Sequence, residues 1–198
     1  MFTGIIQEIG TVESLKPIGK GVRFRIKASL SSQKLHVNDS ISINGACHTI
    51  VWKNRTSFEV VSVEETLKKT SLGSLQKRGS INLELPLGIS DRFNGHIVLG
   101  HVDCVGSVTK IKKLGTSWLF TIEIPKKFSK YIIPRGSISI DGVSLTIAQL
   151  EQNRILISII PHTMRHLIFQ YYKINSKVNI EFDIVGKYIE RMISFNRK

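Results

Sequence analysis

The sequence predicts an all-β protein of two tandem six-stranded Greek-key closed barrels, followed by a short carboxy-terminal α-helix. The first observation behind this is a near repeat: residues 40–50 recur at 137–147, offset by 97, with seven of eleven positions identical. A copy at one long offset indicates a duplicated folding unit. The second observation is that most segments are short apolar runs between Gly, Asn, Ser or Pro, as is typical of strands.

The register of the repeat extends through the whole unit. Residues 4–12 align with 100–108 at an offset of 96, and residues 81–85 align with 178–182 at an offset of 97. Each copy is therefore a small domain with its own core. We assign residues 1–93 to the first barrel, 94–184 to the second, and 185–198 to a terminal helix.

The strands of the first copy follow from alternating or continuous apolar runs. Asn44-Gly45 and Asp141-Gly142 lie between apolar runs and predict tight hairpins in the two copies. Closure of the sheet is expected because it leaves no exposed edge strand. The predicted strands of the first copy are 5–14, 21–28, 40–43, 47–53, 57–63 and 80–85.

One short segment in each copy predicts a helix. Residues 64–70 precede Gly73, which ends the first helix, and residues 162–168 are their counterpart. Residues 87–94 lack strand periodicity and are the expected joint between the barrels.

The tail has no partner in the first copy. Its apolar side chains recur at largely helical spacing and form a stripe: Tyr188, Ile189, Met192, Ile193 and Phe195. Such a stripe either packs on its own barrel or associates with other copies of the chain. We favour self-association.

Composition restricts the protein class. Apolar residues make up 41% and charged residues 22%, an ordinary balance for a globular protein. No apolar run reaches the roughly 20 residues of a membrane span, and residues 1–8 lack a secretory leader, so we expect a cytoplasmic protein that does not insert into membranes. Two cysteines suit a reducing compartment. No metal-ligand spacing accompanies Cys47 and His48, and no metal is expected.

The net charge of +13 admits two interpretations. It suits a nucleic-acid-binding barrel, or it reflects a solvated basic surface. Lys and Arg are spread along the chain without long runs, and no basic cluster is interleaved with aromatic residues. We therefore expect no nucleic acid partner.

Several motifs together resemble the riboflavin synthase family, of the lumazine-binding, alpha-chain type. Their order along the whole chain makes chance agreement implausible. The motifs are Met1-Phe-Thr-Gly-Ile-Ile6, Asn44-Gly-x-Cys-x-Thr49, Glu65-Thr66-Leu67, Asn94-Gly-His-Ile-Val-Leu-Gly-His-Val-Asp103, Asp141-Gly-x-Ser-Leu-Thr146 and Val178-Asn-Ile-Glu-Phe-Asp183.

The resemblance implies a reaction and an assembly. Two molecules of 6,7-dimethyl-8-ribityllumazine dismutate by transfer of a four-carbon unit, giving riboflavin and 5-amino-6-(ribitylamino)uracil in the last step of riboflavin biosynthesis. The family uses no cofactor or metal. It forms homotrimers through the terminal helices, with each active site between the first barrel of one subunit and the second barrel of its neighbour. Association with lumazine synthase stays open.

The resemblance also implies site residues. His101 and Ser144 are expected at the pocket that activates one lumazine, with Cys47, Ser40 and Asp183 contributing, and water can serve as the nucleophile. The positions that match substrate contacts are Gly4, Ile5, Ile6, Cys47, His48, Thr49, Val61, Ser62, Val63, Glu64, Glu65, Thr66, Gly100, His101, Val102, Arg135, Ser144, Leu145, Thr146, Ile160, Pro161, His162, Thr163, Met164 and Arg165.

Some positions depart from the usual pattern of the family. His48 replaces a usual Leu, Arg135 a usual Lys and His162 a common Glu, while residues 167–170 differ throughout. These changes bear on affinity more than on reaction type. His96 is expected to be a structural turn residue, and His36 and His166 are expected at the surface. A lumazine or flavin carrier of the same fold, without catalysis, is the main alternative.

Overall fold

The computed structural model describes residues 1–195 and contains the two closed six-stranded antiparallel barrels that the sequence predicts. The strand order is β1-β2-β5-β4-β3-β6 in the first barrel and, equivalently, β7-β8-β11-β10-β9-β12 in the second. The strands are β1 (Glu8–Ile18), β2 (Gly21–Lys27), β3 (Ser40–Ile43), β4 (Ala46–Lys53), β5 (Ser57–Ser62), β6 (Ser80–Glu84), β7 (Cys104–Lys113), β8 (Trp118–Glu123), β9 (Ser137–Ile140), β10 (Val143–Glu151), β11 (Arg154–Ile159) and β12 (Lys177–Phe182).

The first barrel contains two α-helices instead of the predicted one, so the prediction was wrong for that barrel. α2 (Glu64–Lys69) and α3 (Pro161–His166) are the expected ones, but α1 (Ser29–Lys34) was missed. α1 has no apolar stripe, and the carboxylate of Glu8 accepts the N–H groups of Leu30 and Ser31 at 3.2 and 2.7 Å. The 3₁₀ turns are Ser71–Ser74, Lys126–Tyr131 and Ile168–Tyr171.

The first strand begins later than predicted. Residues 5–7 were assigned to it, yet β1 starts at Glu8. The amino-terminal segment instead leaves the barrel, where Phe2 forms an isolated antiparallel bridge with Val98. Its apolar pattern is that of a strand, but its pairing partner is the segment between the barrels.

The two hairpin turns adopt the predicted conformation. Asn44 and Gly45 have φ values of 45° and 78°, and Asp141 and Gly142 have 44° and 82°. Positive φ at both central residues defines a type I′ turn. The turns pack on each other: a Cβ at Gly45 would lie 2.7 Å from the amide nitrogen of Gly142.

Buried amides join the barrels around this contact. Asn82 Nδ2 donates to the carbonyl of Asp141 at 3.0 Å, and Asn179 Nδ2 donates to the carbonyl of Asn44 at 2.8 Å. Asn82 and Asn179 hold equivalent places in the repeat, so the junction has approximate two-fold symmetry.

The terminal helix α4 (Ile184–Phe195) lies against the second barrel without burying any residue. Lys187 Nζ is 2.5 Å from Asp103 Oδ2, and Glu190 bonds with Lys130 and Tyr131. The predicted apolar stripe stays exposed, with Phe195 at 71%. Residues 196–198 of the predicted helix lie outside the described residues. None of the helices in residues 1–195 is long and apolar enough to cross a membrane.

Candidate active site

Each barrel sends a short segment to the hairpin of the other barrel. The buried Glu84 of β6 accepts the N–H groups of Thr3 and Gly4, at 2.7 and 3.0 Å. These bonds anchor the segment. The carbonyl of Gly4 then accepts a hydrogen bond from the amide of Ser144 in the second barrel at 2.8 Å. The amino-terminal segment therefore forms a wall beside Ser144.

The second barrel repeats this arrangement in the opposite direction. Glu181 of β12 accepts the N–H groups of Leu99, Gly100 and His101 at 2.7 to 3.0 Å. The carbonyl of Gly100 then accepts the amide of Cys47 in the first barrel at 2.9 Å. Burial raises the pKa of the Glu84 and Glu181 carboxyls, and the backbone donors oppose this rise.

Glycine is required where these segments touch the hairpins. Gly4 has φ +79°, and a Cβ there would lie 2.5 Å from Ser144 Cβ; Gly100 has φ +81°, and a Cβ there would lie 2.6 Å from Cys47 Cβ. A side chain at either position would push the segment off the opposite barrel.

A cavity of about 250 Å³ opens on the outside of the first barrel. Its wall combines the hairpin, helix α2 and the crossing segment. Glu65 and Lys69 form a salt bridge of 2.9 Å at its rim. The lining residues are Ala46, Cys47, Glu65, Thr66, Lys69, Thr70, Gly100, His101 and Val102.

The equivalent place on the second barrel brings a histidine to Ser144. His96 Nδ1 is 2.7 Å from Ser144 Oγ. Burial lowers the pKa of His96, and the charge of Asp183 opposes this. Among the described residues His96 Nε2 is buried without a hydrogen-bond partner. Ser144 is bonded to His96, and Asp183 acts on His96 through its charge.

His96 was expected to be only a structural turn residue, and its contact with Ser144 makes it a site candidate. The repeat could not reveal it, because residues 94–99 precede the part of the second copy that matches the first. The available signal was the place of His96 within the motif of residues 94–103.

Strand alternation separates the predicted contacts into two faces. Cys47 and Thr49 face outward, whereas His48 is buried. His48 Nδ1 donates to the carbonyl of Ala46 at 2.9 Å, and Nε2 lies 2.6 Å from Ser62 Oγ. Burial lowers the pKa of His48, so the neutral ring suits this interior place. The side chains of His48 and Ser62 therefore bond to each other inside the barrel.

Three further groups of predicted residues have the following places in the fold. Ser40 pairs with Thr49 across β3 and β4. Arg135 is exposed with φ 68°, and its amide donates to the carbonyl of Ile147 at 2.9 Å. Gly4, Ile5 and Ile6 belong to the wall beside Ser144, and Ile160 to Arg165 precede or form α3.

Within one chain, His101 and Ser144 line different centres. His101 belongs to the cavity with Cys47, and Ser144 contacts Gly4 and His96. The two predicted catalytic groups therefore do not line one common cavity in the described chain.

Within residues 1–195, no three His, Cys, Asp or Glu side chains lie together in a way that would hold a metal ion. Burial raises the pKa of Cys104 to about 12, so its thiol stays protonated. Cys47, by contrast, is partly exposed in the cavity.

The sequence model of the Lumazine binding domain family matches residues 3–86 and 99–183. The crystal structures of LumP with riboflavin and with 6,7-dimethyl-8-(1′-D-ribityl) lumazine superpose with TM-scores of 0.85 and 0.83, at 21% identity, covering 92% of this chain and 99% of LumP. Fold and sequence together define a tandem lumazine-binding-domain protein.

Full-length relatives narrow this class. Riboflavin synthase of Bacillus subtilis (strain 168) is 42% identical over 98% of this chain and 90% of the relative, and that of Saccharomyces cerevisiae is 38% identical over 98% and 86%. Riboflavin synthase of Actinobacillus pleuropneumoniae is 40% identical over 98% and 90%. The chain belongs to the riboflavin synthase family.

Proposed function

We propose that this enzyme dismutates two molecules of 6,7-dimethyl-8-ribityllumazine into riboflavin and 5-amino-6-(ribitylamino)uracil. The observation that carries this is full-length similarity to riboflavin synthases, up to 42% identity to the Bacillus subtilis enzyme. Structures of the same fold were solved with this lumazine and with riboflavin, which supports a ligand of this class. The atoms of two substrates balance those of the two products, so no oxidant or reductant is consumed.

The reaction needs two identical rings held against each other. Lumazine is electron-poor, so its 7-methyl protons are acidic and its ring carbon accepts a nucleophile. Holding both rings in a reactive pose is catalysis by proximity and orientation. A doubled barrel with equivalent binding places at Cys47 and Ser144 suits this task, because each barrel binds one ring.

We propose that the site is completed between chains. The cavity beside Cys47, of about 250 Å³, is below the roughly 300–1,000 Å³ of small-molecule pockets, so this cavity by itself is too small for two substrates. The second barrel of a neighbour would supply the missing wall and bring Ser144 towards His101. A homotrimer formed through α4 supplies such neighbours.

The polar groups divide the chemistry between the two rings. His101 in the first cavity and the His96–Ser144 pair in the second centre are placed to move protons to and from the bound rings. Asp183 favours the protonated form of His96. Cys47 contributes hydrogen bonds in the first cavity, Ser40 acts from the adjacent strand β3, and water can serve as the nucleophile.

We further propose a cytoplasmic enzyme, which the two free thiols suit. Its substrate is the product of lumazine synthase, so association of the two enzymes would shorten substrate transfer. Copurification of the two proteins from one lysate tests that association.

The test is turnover of purified protein with 6,7-dimethyl-8-ribityllumazine. We expect one riboflavin for every two substrates consumed. His101→Ala and His96→Gln should lower kcat by on the order of 100-fold, while His36→Ala, at an exposed position outside the site, should leave it unchanged. Tight binding of lumazine without any riboflavin would identify a carrier instead, and overturn the proposal.

A further inference from the structure

Helices α2 and α3 hold the same place in the two barrels but carry different side chains at their facing positions. The offset of 97 puts His162 at the place of Glu65 and His166 at that of Lys69. Glu65 and Lys69 form a salt bridge of 2.9 Å. His162 and His166 instead stack, with ring centroids 4.2 Å apart and an interplanar angle of 21°.

The histidines have the geometry of two ligands on one helical face. Side chains four residues apart are neighbours on a helix. His166 Nδ1 is 2.8 Å from the carbonyl oxygen of His162, and a carbonyl can only accept, so Nδ1 carries the proton. The lone pair then lies on Nε2. A backbone carbonyl that fixes one ring N–H in this way is the usual support of a metal-binding histidine.

We propose that His162 and His166 form a two-imidazole site for a late first-row divalent transition metal on helix α3, among the candidate substrate contacts of the second barrel. Two imidazole nitrogens bound to one ion at about 2.0–2.1 Å each lie about 3 Å apart in a tetrahedral or cis arrangement, and the two ring centroids are 4.2 Å apart with an interplanar angle of 21°. The rings therefore have to turn out of the stack so that both Nε2 lone pairs point at the same ion. Both side chains are exposed, so an ion reaches them directly.

The ligand type selects the metal. Imidazole suits Cu²⁺, Ni²⁺ and Zn²⁺, whereas Mg²⁺ and Ca²⁺ prefer oxygen ligands. No third His, Cys, Asp or Glu in residues 1–195 completes the group, so water fills the remaining positions. Arg165, on the same helix, adds positive charge that opposes the cation. Affinity is therefore lower than at a four-ligand structural zinc site, and Cu²⁺ should bind more tightly than Ni²⁺ or Zn²⁺.

An ion bound on α3 should lower the activity of the enzyme. This expectation rests on the proposed function. Residues 160–165 are candidate substrate contacts of the second barrel, so an ion on α3 competes with substrate there. The first barrel carries Glu65 and Lys69 at the equivalent positions, so the ion does not bind there. The ion thus inhibits by removing one of two binding places.

Calorimetric titration of the purified full-length protein with Ni²⁺ tests the site. We expect one His162-dependent site per chain, weakened at least tenfold in the double variant His162→Glu with His166→Lys, which installs the pair of the first barrel. His36→Ala and His101→Ala should retain it. Circular dichroism checks that each variant folds. Equal binding by the double variant and the natural protein would overturn the proposal.

Activity with and without Ni²⁺, measured for each protein, tests the location. Inhibition of the natural protein that EDTA reverses, and that the double variant lacks, supports it, whereas full activity at saturating Ni²⁺ overturns it. Absence of riboflavin formation in the metal-free natural protein would contradict the proposed function instead, and would leave the calorimetric result unaffected.

Discussion

Asp141 and Asn44 occupy the same turn position in the two barrels but differ in charge. Asp141 is buried; its Oδ1 accepts the amide of Asn179 at 2.8 Å, and its Oδ2 accepts the hydroxyl of Tyr172. Burial raises the pKa of Asp141 from an ordinary 3.8 to about 7. Burial also raises the pKa of the Tyr172 hydroxyl, which bonds to this carboxyl. The second barrel therefore contains a carboxyl that is costly to ionise.

Asp141→Asn should remove part of the pH dependence of stability. The folded pKa of about 7 is above the unfolded value, so the folded protein holds this proton more tightly, and its free energy of unfolding falls as pH rises from about 4 to about 7. An amide cannot ionise. The variant should match the natural protein near pH 4 and exceed it at pH 8 by about 2–4 kcal/mol, as measured by urea unfolding.

Tyr172→Phe is the matched control for that experiment. It removes the hydroxyl that donates to the ionised carboxylate, so it should destabilise the protein more at pH 8 than at pH 4. If Asp141→Asn lowers the free energy of unfolding equally at pH 4 and pH 8, the carboxyl does not titrate in the folded state.

Gly100→Ala should separate the crossing segment from the first barrel. The new methyl group would lie 2.6 Å from Cys47 Cβ at a positive φ, so His101 moves with its backbone. We expect a loss of about 1–3 kcal/mol in stability and at least a tenfold loss in kcat. Gly115→Ala, which has nothing within 4 Å of its Cβ, should change neither quantity.

Among the elements, α4 is distinguished by the apolar side chains that it leaves exposed. Its polar side chains bond to the second barrel, and its apolar ones face outward: Tyr188 is 66% and Met192 66% exposed. Contiguous exposed apolar surface of this kind is typical of association sites. Helical spacing was enough to predict the stripe, whereas the choice between packing inward and outward depended on Asp103, Lys130 and Tyr131, which are remote in sequence.

Ending the chain after Asp183 should therefore abolish assembly without unfolding the barrels. Sedimentation velocity should show a trimer for the full chain and a monomer for the truncated one, with riboflavin formation reduced at least 100-fold. Circular dichroism should be unchanged apart from the helical contribution. A truncated protein that keeps full turnover at high dilution would contradict a site shared between chains.

The strands themselves were largely predictable because their signal is local. Residues 40–43, predicted as a strand, coincide with β3, and the Asn-Gly and Asp-Gly turns have the conformation that their residues favour. α1 was not predictable, since its first turn is held by Glu8 from another strand. His162 and His166 could be aligned with Glu65 and Lys69, but not seen to stack.

At the scale of the whole molecule, the duplication predicted two barrels but not how they join. Nothing local in residues 2–5 or 98–101 indicates that each segment is anchored on one barrel and contacts the other. For the same reason the separate locations of His101 and Ser144 within a chain were not predicted. Repeats align equivalent positions, while contacts between the repeats depend on packing.

Asn179→Ala should weaken the junction between the barrels. It removes the hydrogen bond to the Asn44 carbonyl and the acceptor for the amide of Ser71, at 2.8 and 2.6 Å. Leaving these buried groups without partners costs about 1–3 kcal/mol each. Calorimetric unfolding should change from one transition to two. Ser176→Ala, in the loop before β12, should retain the single transition.

The crossed segments also bear on whether the duplicated gene could be divided again. A break within residues 87–93 would leave each fragment with the wall that its counterpart needs: the amino-terminal piece carries Gly4, the carboxy-terminal piece Gly100. Neither fragment alone could turn over lumazine, while mixing the two would restore activity. Because each half relies on a segment of the other, loss of either copy should disable the half that remains.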